Sequence, residues 1–192
     1  TGAGSVSVPA YRSHVDSVVI HDLVMQDQPV NVVSFKEIRE ALKLKYLDGI
    51  VSSYVFRQYV VTIDFKNRVV VLSSQDKFQP DANALRIPFV GLYGSIPVVQ
   101  GEVDGIPGKF IIDTGDRSNF TLFKNFAVKH KFFSNYSLSD TVMTGYGLGG
   151  PILGRWMTIN ELTISKNMKV KRVEARIPTI IGGAFDRNDE LV

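Results

Sequence analysis

The chain repeats itself. Thr1-Gly2-Ala3-Gly4, followed by Pro9, matches Thr144-Gly145-Tyr146-Gly147, followed by Pro151. Val18 to Val24 matches Glu161 to Ile164, and Pro29 to Val33 matches Met168 to Val173. Order and spacing agree within a few residues. A long internal repeat constrains the fold more than any local signal, because each copy must build a similar unit. Two related lobes are expected. The 192 residues, 44% of them hydrophobic, suffice to bury a core in one domain or two small lobes. Abundant Val, Ile and Phe between Gly-marked turns favour an all-β or β-rich architecture.

In the first half, residues 1–16 read as a mobile hairpin. Strands are expected at Ser17 to Ile20 and Leu23 to Met25, with Asp27-Gln28-Pro29 turning the chain into a further strand, Val30 to Val33. Lys36 to Leu44 reads as a short amphipathic helix. Tyr59 to Phe65 and Val69 to Leu72 form a hairpin around Lys66-Asn67, and the polar stretch from Ser73 to Ala84 reads as a linker. In the second half, Ile96 to Val103 and Lys109 to Ile112 are strands joined across Asp104-Gly105, a strong hairpin signal. Phe120 to Lys131 reads as a short helix on the sheet. Thr144 to Pro151 is a Gly-rich hairpin tip, followed by strands around Leu162 to Ile164 and Val170 to Val173. The chain closes on Ile180-Ile181-Gly182-Gly183.

Several function classes fall away. A net charge of +3 is too small to argue for nucleic acid. The densest basic cluster, Lys169, Lys171 and Arg172, reads as a solvated strand face. No apolar run approaches a membrane span. With no Cys, disulfide and thiolate chemistry are excluded. His14, His21 and His130 show no metal-ligand spacing. The glycines of 145–150 lack the Lys-Ser/Thr and following helix of a phosphate loop. Ser118 has no His with a third orienting group nearby, which argues against a serine hydrolase. Trp156 reads as core.

One stretch carries chemistry: Gly108-Lys109-Phe110-Ile111-Ile112-Asp113-Thr114-Gly115-Asp116-Arg117-Ser118. Its apolar run suits a buried strand that delivers Asp113 into a Thr-Gly turn. Thr114 offers a hydroxyl to brace the loop. Gly115, without a Cβ, leaves room for a water or substrate. Asp116 either disfavours ionisation of Asp113 or pairs with Arg117 at the surface, and the pairing is the preferred reading.

With this stretch go the Gly-rich segment Gly145-Tyr146-Gly147-Leu148-Gly149-Gly150 and the run Asp48-Gly49-Ile50-Val51, then Phe56-Arg57-Gln58-Tyr59-Val60-Val61-Thr62-Ile63-Asp64-Phe65. In this order they resemble a bacterial retropepsin-like aspartic peptidase with two lobes in one chain. The resemblance implies an all-β fold with short helices, made of two pseudo-repeated acid-protease-like β-barrel lobes. Residues 1–76 would be the C-terminal part of the first lobe, 77–90 a linker, and 91–192 the second lobe. The first lobe would lack its N-terminal half in this chain, because Thr1 to Gly4 fits a flap and only one Asp-Thr-Gly is present. Asp116 stands where the family has Ala, Ser or Thr, and Ser52 where it has the lobe-closing Gly.

The activity implied is that of an aspartic endopeptidase. Two carboxylates share one proton, the ionised one activates a water, and the other hydrogen-bonds the scissile carbonyl. Asp113 would be one member, with Thr114 and Gly115 shaping its loop. Gly145, Tyr146 and Gly147 would form one flap over a polypeptide substrate, with Gly2 and Gly4 in the other. No cofactor or metal is implied. The partner Asp would come from an upstream strand or from a second copy of the chain in a homodimer. Without one, the chain would be a catalytically inactive peptide-binding or assembly module. Absence of Cys fits a periplasmic or secreted home.

Overall fold

A computed structural model describes residues 3–4, 6–53, 56–93, 96–165 and 168–179. Strands β1 (Tyr11–Ile20) and β2 (Leu23–Val32) pair as a long antiparallel hairpin. Helix α1 (Lys36–Ala41) follows, then the hairpin of β3 (Val60–Asp64) and β4 (Val69–Ser73). The second half builds a six-stranded antiparallel sheet from β5 (Gly91–Tyr93), β6 (Ile96–Val103), β7 (Ile106–Ile111), β8 (Val142–Gly147), β9 (Gly150–Ile164) and β10 (Met168–Pro178). Its order is β10-β9-β6-β5, with β7 on β6 and β8 on β9. Helices α2 (Lys124–Lys129) and α3 (Phe132–Asn135) connect β7 to β8.

These sheets are open, and the expectation of an all-β fold of two closed acid-protease-like barrels is overturned. The architecture is mixed α/β: unclosed sheets with short helices. Closing a barrel needs enough tilted strands to return to the first. The described residues of 6–90 supply instead two separate two-stranded sheets, which cannot close.

The core explains the asymmetry. Val99, Val103, Phe110, Leu122, Phe126, Phe132, Ile159, Leu162 and Ile177 form one buried cluster. Phe126 and Phe132 pack with ring centroids 5.9 Å apart, and Phe132 stacks on Tyr136 at 4.7 Å. Among the described residues up to Val90, only Gly4 is buried. The expected hairpin over 59–72 forms, with Val61 paired to Leu72 and Ile63 to Val70. Yet Phe65 is 81% exposed.

Local signals mostly hold. Asp104 and Gly105 both take positive φ, 49° and 80°, the geometry a two-residue hairpin turn demands. The expected break at Asp27-Gln28-Pro29 is corrected. The chain turns at His21-Asp22, with His21 at φ 51°, and β2 runs on through Pro29. A two-stranded sheet tolerates this, because a proline's missing N–H is not needed on its outer edge. Residues 11–16, expected in a mobile hairpin, belong to β1. Trp156 is half-buried at the rim of a groove and lies outside the buried core. The closing segment Ile180 to Gly183 lies outside the described residues.

If the core sits in the second half, Phe126→Ala should cost about 3–5 kcal/mol of unfolding free energy. Phe65→Ala should stay within about 0.5 kcal/mol of the parent. Urea unfolding of both variants checks this, and equal losses would contradict it.

Candidate functional site

Strand β7 ends at Ile111, and Asp113 follows on an exposed loop. The strand is held from below: Ile111 packs with Ala3 against buried Val98, Phe123 and Ile152. Ile112 donates its N–H to the Pro97 carbonyl at 2.9 Å. The carboxylate is therefore delivered by a rigid strand end. Its Oδ1 accepts the Gly115 N–H at 2.8 Å, and its carbonyl accepts the Asp116 N–H at 3.3 Å. A Cβ on residue 115 would lie 3.1 Å from Asp113 Oδ1, so glycine lets the loop fold this tightly. Thr114 is exposed, and no hydrogen bond of its hydroxyl is found among the described residues.

Asp116 does not pair with Arg117. Its partner is Arg176, 60 positions on, whose Nη2 lies 3.0 Å from both carboxylate oxygens. Asp116 also accepts from the Ser118 N–H and hydroxyl, both at 2.9 Å, and from the Thr121 hydroxyl at 2.8 Å. The Arg176 side chain is only 6% exposed. Its Nε donates to Thr121 Oγ1 at 2.9 Å, and its Nη1 donates to the Thr144 carbonyl at 3.1 Å. A buried guanidinium requires this degree of satisfaction, because an unpaired charge in that place costs several kcal/mol. Asp116, saturated by these donors, is not a free second carboxylate for Asp113.

The Thr144 carbonyl belongs to β8, whose hairpin with β9 is the expected Gly-rich tip. Gly145 lies against Arg176, and a Cβ there would collide with Nη1. At the tip, the Gly149 N–H donates to the Ala3 carbonyl at 2.8 Å, and the Val6 N–H donates to the Gly149 carbonyl at 3.0 Å. Gly4 bridges Gly149 in parallel, and Gly147 abuts the Ala3 carbonyl. Gly4 and Gly147 are thus brought together at one tip, while Gly145 lies before it against Arg176, with Tyr146 half-buried between the two glycines. Gly2 lies outside the described residues. The Asp113 strand and this tip share the small core formed by Val98, Phe123 and Ile152.

An open groove of about 700 Å³ lies elsewhere, lined by residues including His130, Tyr136, Trp156, Asn160 and Glu174; no residue of the Asp113 loop lines it. At its edge the Tyr136 hydroxyl donates to Asp104 Oδ2 at 2.7 Å. Asp104 also accepts the backbone N–H groups of Asn160 and Glu161, tying the β6–β7 turn to β9. Among the described residues, no group of three or more His, Asp or Glu could hold a metal, and no helix is long and apolar enough to cross a membrane. The basic cluster is exposed on β10, where Lys169 pairs with Glu161 at 2.6 Å.

Sequence reading missed Arg176 and its contacts. The available signal was an Arg inside the buried run Ala175-Arg176-Ile177-Pro178, where a charge must find a partner. No protein-family profile, curated protein or solved structure matches this chain.

Burial, then the hydrogen bond to Asp104 and its charge, pushes the Tyr136 phenol up from 10.0 to about 12. The folded state favours the protonated form, so this contribution is complete below pH 10.0 and is lost as pH rises through about 12. The stability difference between parent and Tyr136→Phe should therefore shrink across that interval, as measured by urea unfolding at each pH. A constant difference would contradict it.

Proposed function

We propose that the chain contributes one catalytic carboxylate, Asp113, to an aspartic-type endopeptidase acting on extended polypeptide. The observation that carries this reading is an exposed carboxylate at the end of a packed strand. Its loop is braced by a saturated ion pair, and the same pair reaches a Gly-rich hairpin. The chemistry needs no closed barrel. It needs a carboxylate held rigidly, access for a water, and a segment that shields the scissile bond.

In this mechanism the ionised member of the pair takes a proton from water as the oxygen attacks the peptide carbonyl. The protonated member donates a hydrogen bond to the carbonyl oxygen, and no covalent enzyme intermediate forms. Gly115 leaves the approach to Asp113 open. Gly145, Tyr146 and Gly147, with Gly4 of the segment bonded to their hairpin tip, would cover the substrate backbone. The second carboxylate would come from a further segment of the polypeptide or from a second copy of the chain.

A second reading is favoured by one observation: no catalytic Asp pair is evident among the described residues. In that reading the same hairpin holds an extended peptide without cleaving it.

Full-length protein should hydrolyse a casein-type substrate somewhere between about pH 3 and 7, with inhibition by pepstatin and a loss of at least about a hundredfold in Asp113→Asn. Activity unchanged by Asp113→Asn, or none from folded full-length protein, would contradict the peptidase reading and leave the peptide-binding one.

A further inference from the structure

We infer that Arg176 is a positioning residue that makes the Asp113 loop and the β8–β9 hairpin one mechanical unit. It rests on the proposed role of Asp113 only for its functional meaning. Its physical basis is independent of that role.

Three acceptors from two segments distant in sequence converge on this one guanidinium. Nη2 holds Asp116, three residues after Asp113, and Nε holds Thr121, where the loop ends. Nη1 holds the carbonyl of Thr144, the residue before Gly145. Thr144 is itself buried, and its hydroxyl donates to the Ile152 carbonyl at 3.1 Å across the hairpin. The backbone reinforces the junction. Leu122 donates to the Arg176 carbonyl at 2.9 Å, and Arg176 donates to the Phe120 carbonyl at 3.0 Å. Displacement of the loop therefore pulls on Asp116, and through Arg176 on β8.

Geometry makes Arg the residue for this task. A guanidinium presents its donors in a fixed planar fork, so one side chain serves a carboxylate, a hydroxyl and a carbonyl in set directions. Lysine has the charge but not the fork. Glycine at 145 admits the guanidinium against the strand, since any Cβ there would occupy the place of Nη1. The arrangement would keep the Asp113 carboxylate at a constant distance from the strand that covers a bound peptide.

The test uses nitrogen-15 NMR of the full chain. Its two reporters are the Gly115 amide, which donates to Asp113, and hydrogen exchange across β8. The variants are Arg176→Lys and Asp116→Asn, the second retaining side-chain shape in case the first fails to fold. Lys169→Met, which removes an exposed pair on the same strand β10, is the control. In Arg176→Lys the Gly115 amide resonance should shift, and in either variant exchange across β8 should accelerate about tenfold. The control should move neither. If in Arg176→Lys only one reporter responds or neither does, or if exchange across β8 is unchanged in Asp116→Asn, loop and hairpin are independent and the inference is wrong. The readout requires no turnover, so failure of the peptidase assay leaves this result standing and bears on the proposed function alone.

Discussion

The buried charge of Arg176 constrains the arrangement of the site. A guanidinium on the buried stretch Ala175 to Pro178 of β10 cannot remain there unless its donors are used, so the fold must bring it acceptors. Asp116, Thr121 and the Thr144 carbonyl are those acceptors. They fix where the loop after β7 runs and where β8 begins. Removing one partner would strand a charge in the interior, whereas the exposed Lys169–Glu161 pair on the same strand can be solvated by water. Two ion pairs on one strand thus have very different consequences.

Much of the second half is legible from its residues. Asp104-Gly105 specifies a turn needing positive φ at two successive positions, and Asp104 then serves as an acceptor for β9 and Tyr136. The apolar run Phe110 to Ile111 makes a strand because alternate residues meet a core. The glycines between 145 and 150 make a hairpin tip whose close approach to Ala3, Gly4 and Val6 excludes side chains. Each of these is a local signal. The partner of Asp116 is not local. Arg117 is adjacent in sequence but exposed, while Arg176 is distant and buried, and only the sheet brings it close.

The first half shows where periodicity stops being informative. Val60, Val61 and Ile63 and the run Val69 to Leu72 have the residues of strands, and they do form a hairpin. A strand-like run states that a segment is apolar. It does not state how many strands will join it. With two strands to a sheet, β1–β2 and β3–β4 leave apolar residues such as Val19, Val24, Phe65 and Val70 in contact with water. Each half keeps a long hairpin, β1–β2 and β9–β10, but the matched segments differ in place, Pro29 to Val33 closing β2 and Met168 to Val173 opening β10. Among the described residues, the buried cluster draws on the second hairpin. The two-barrel expectation treated the halves as equals, and packing separates them.

In the proposed mechanism Asp113 is one of two reacting carboxylates. An epoxide inhibitor that esterifies catalytic carboxylates tests this, with mass spectrometry of the labelled full-length protein locating the adduct. An adduct on Asp113, prevented by pepstatin, is expected, with Asp116 unlabelled because Arg176, Ser118 and Thr121 occupy its oxygens. Labelling spread over exposed carboxylates, or absent from Asp113, would contradict the assignment.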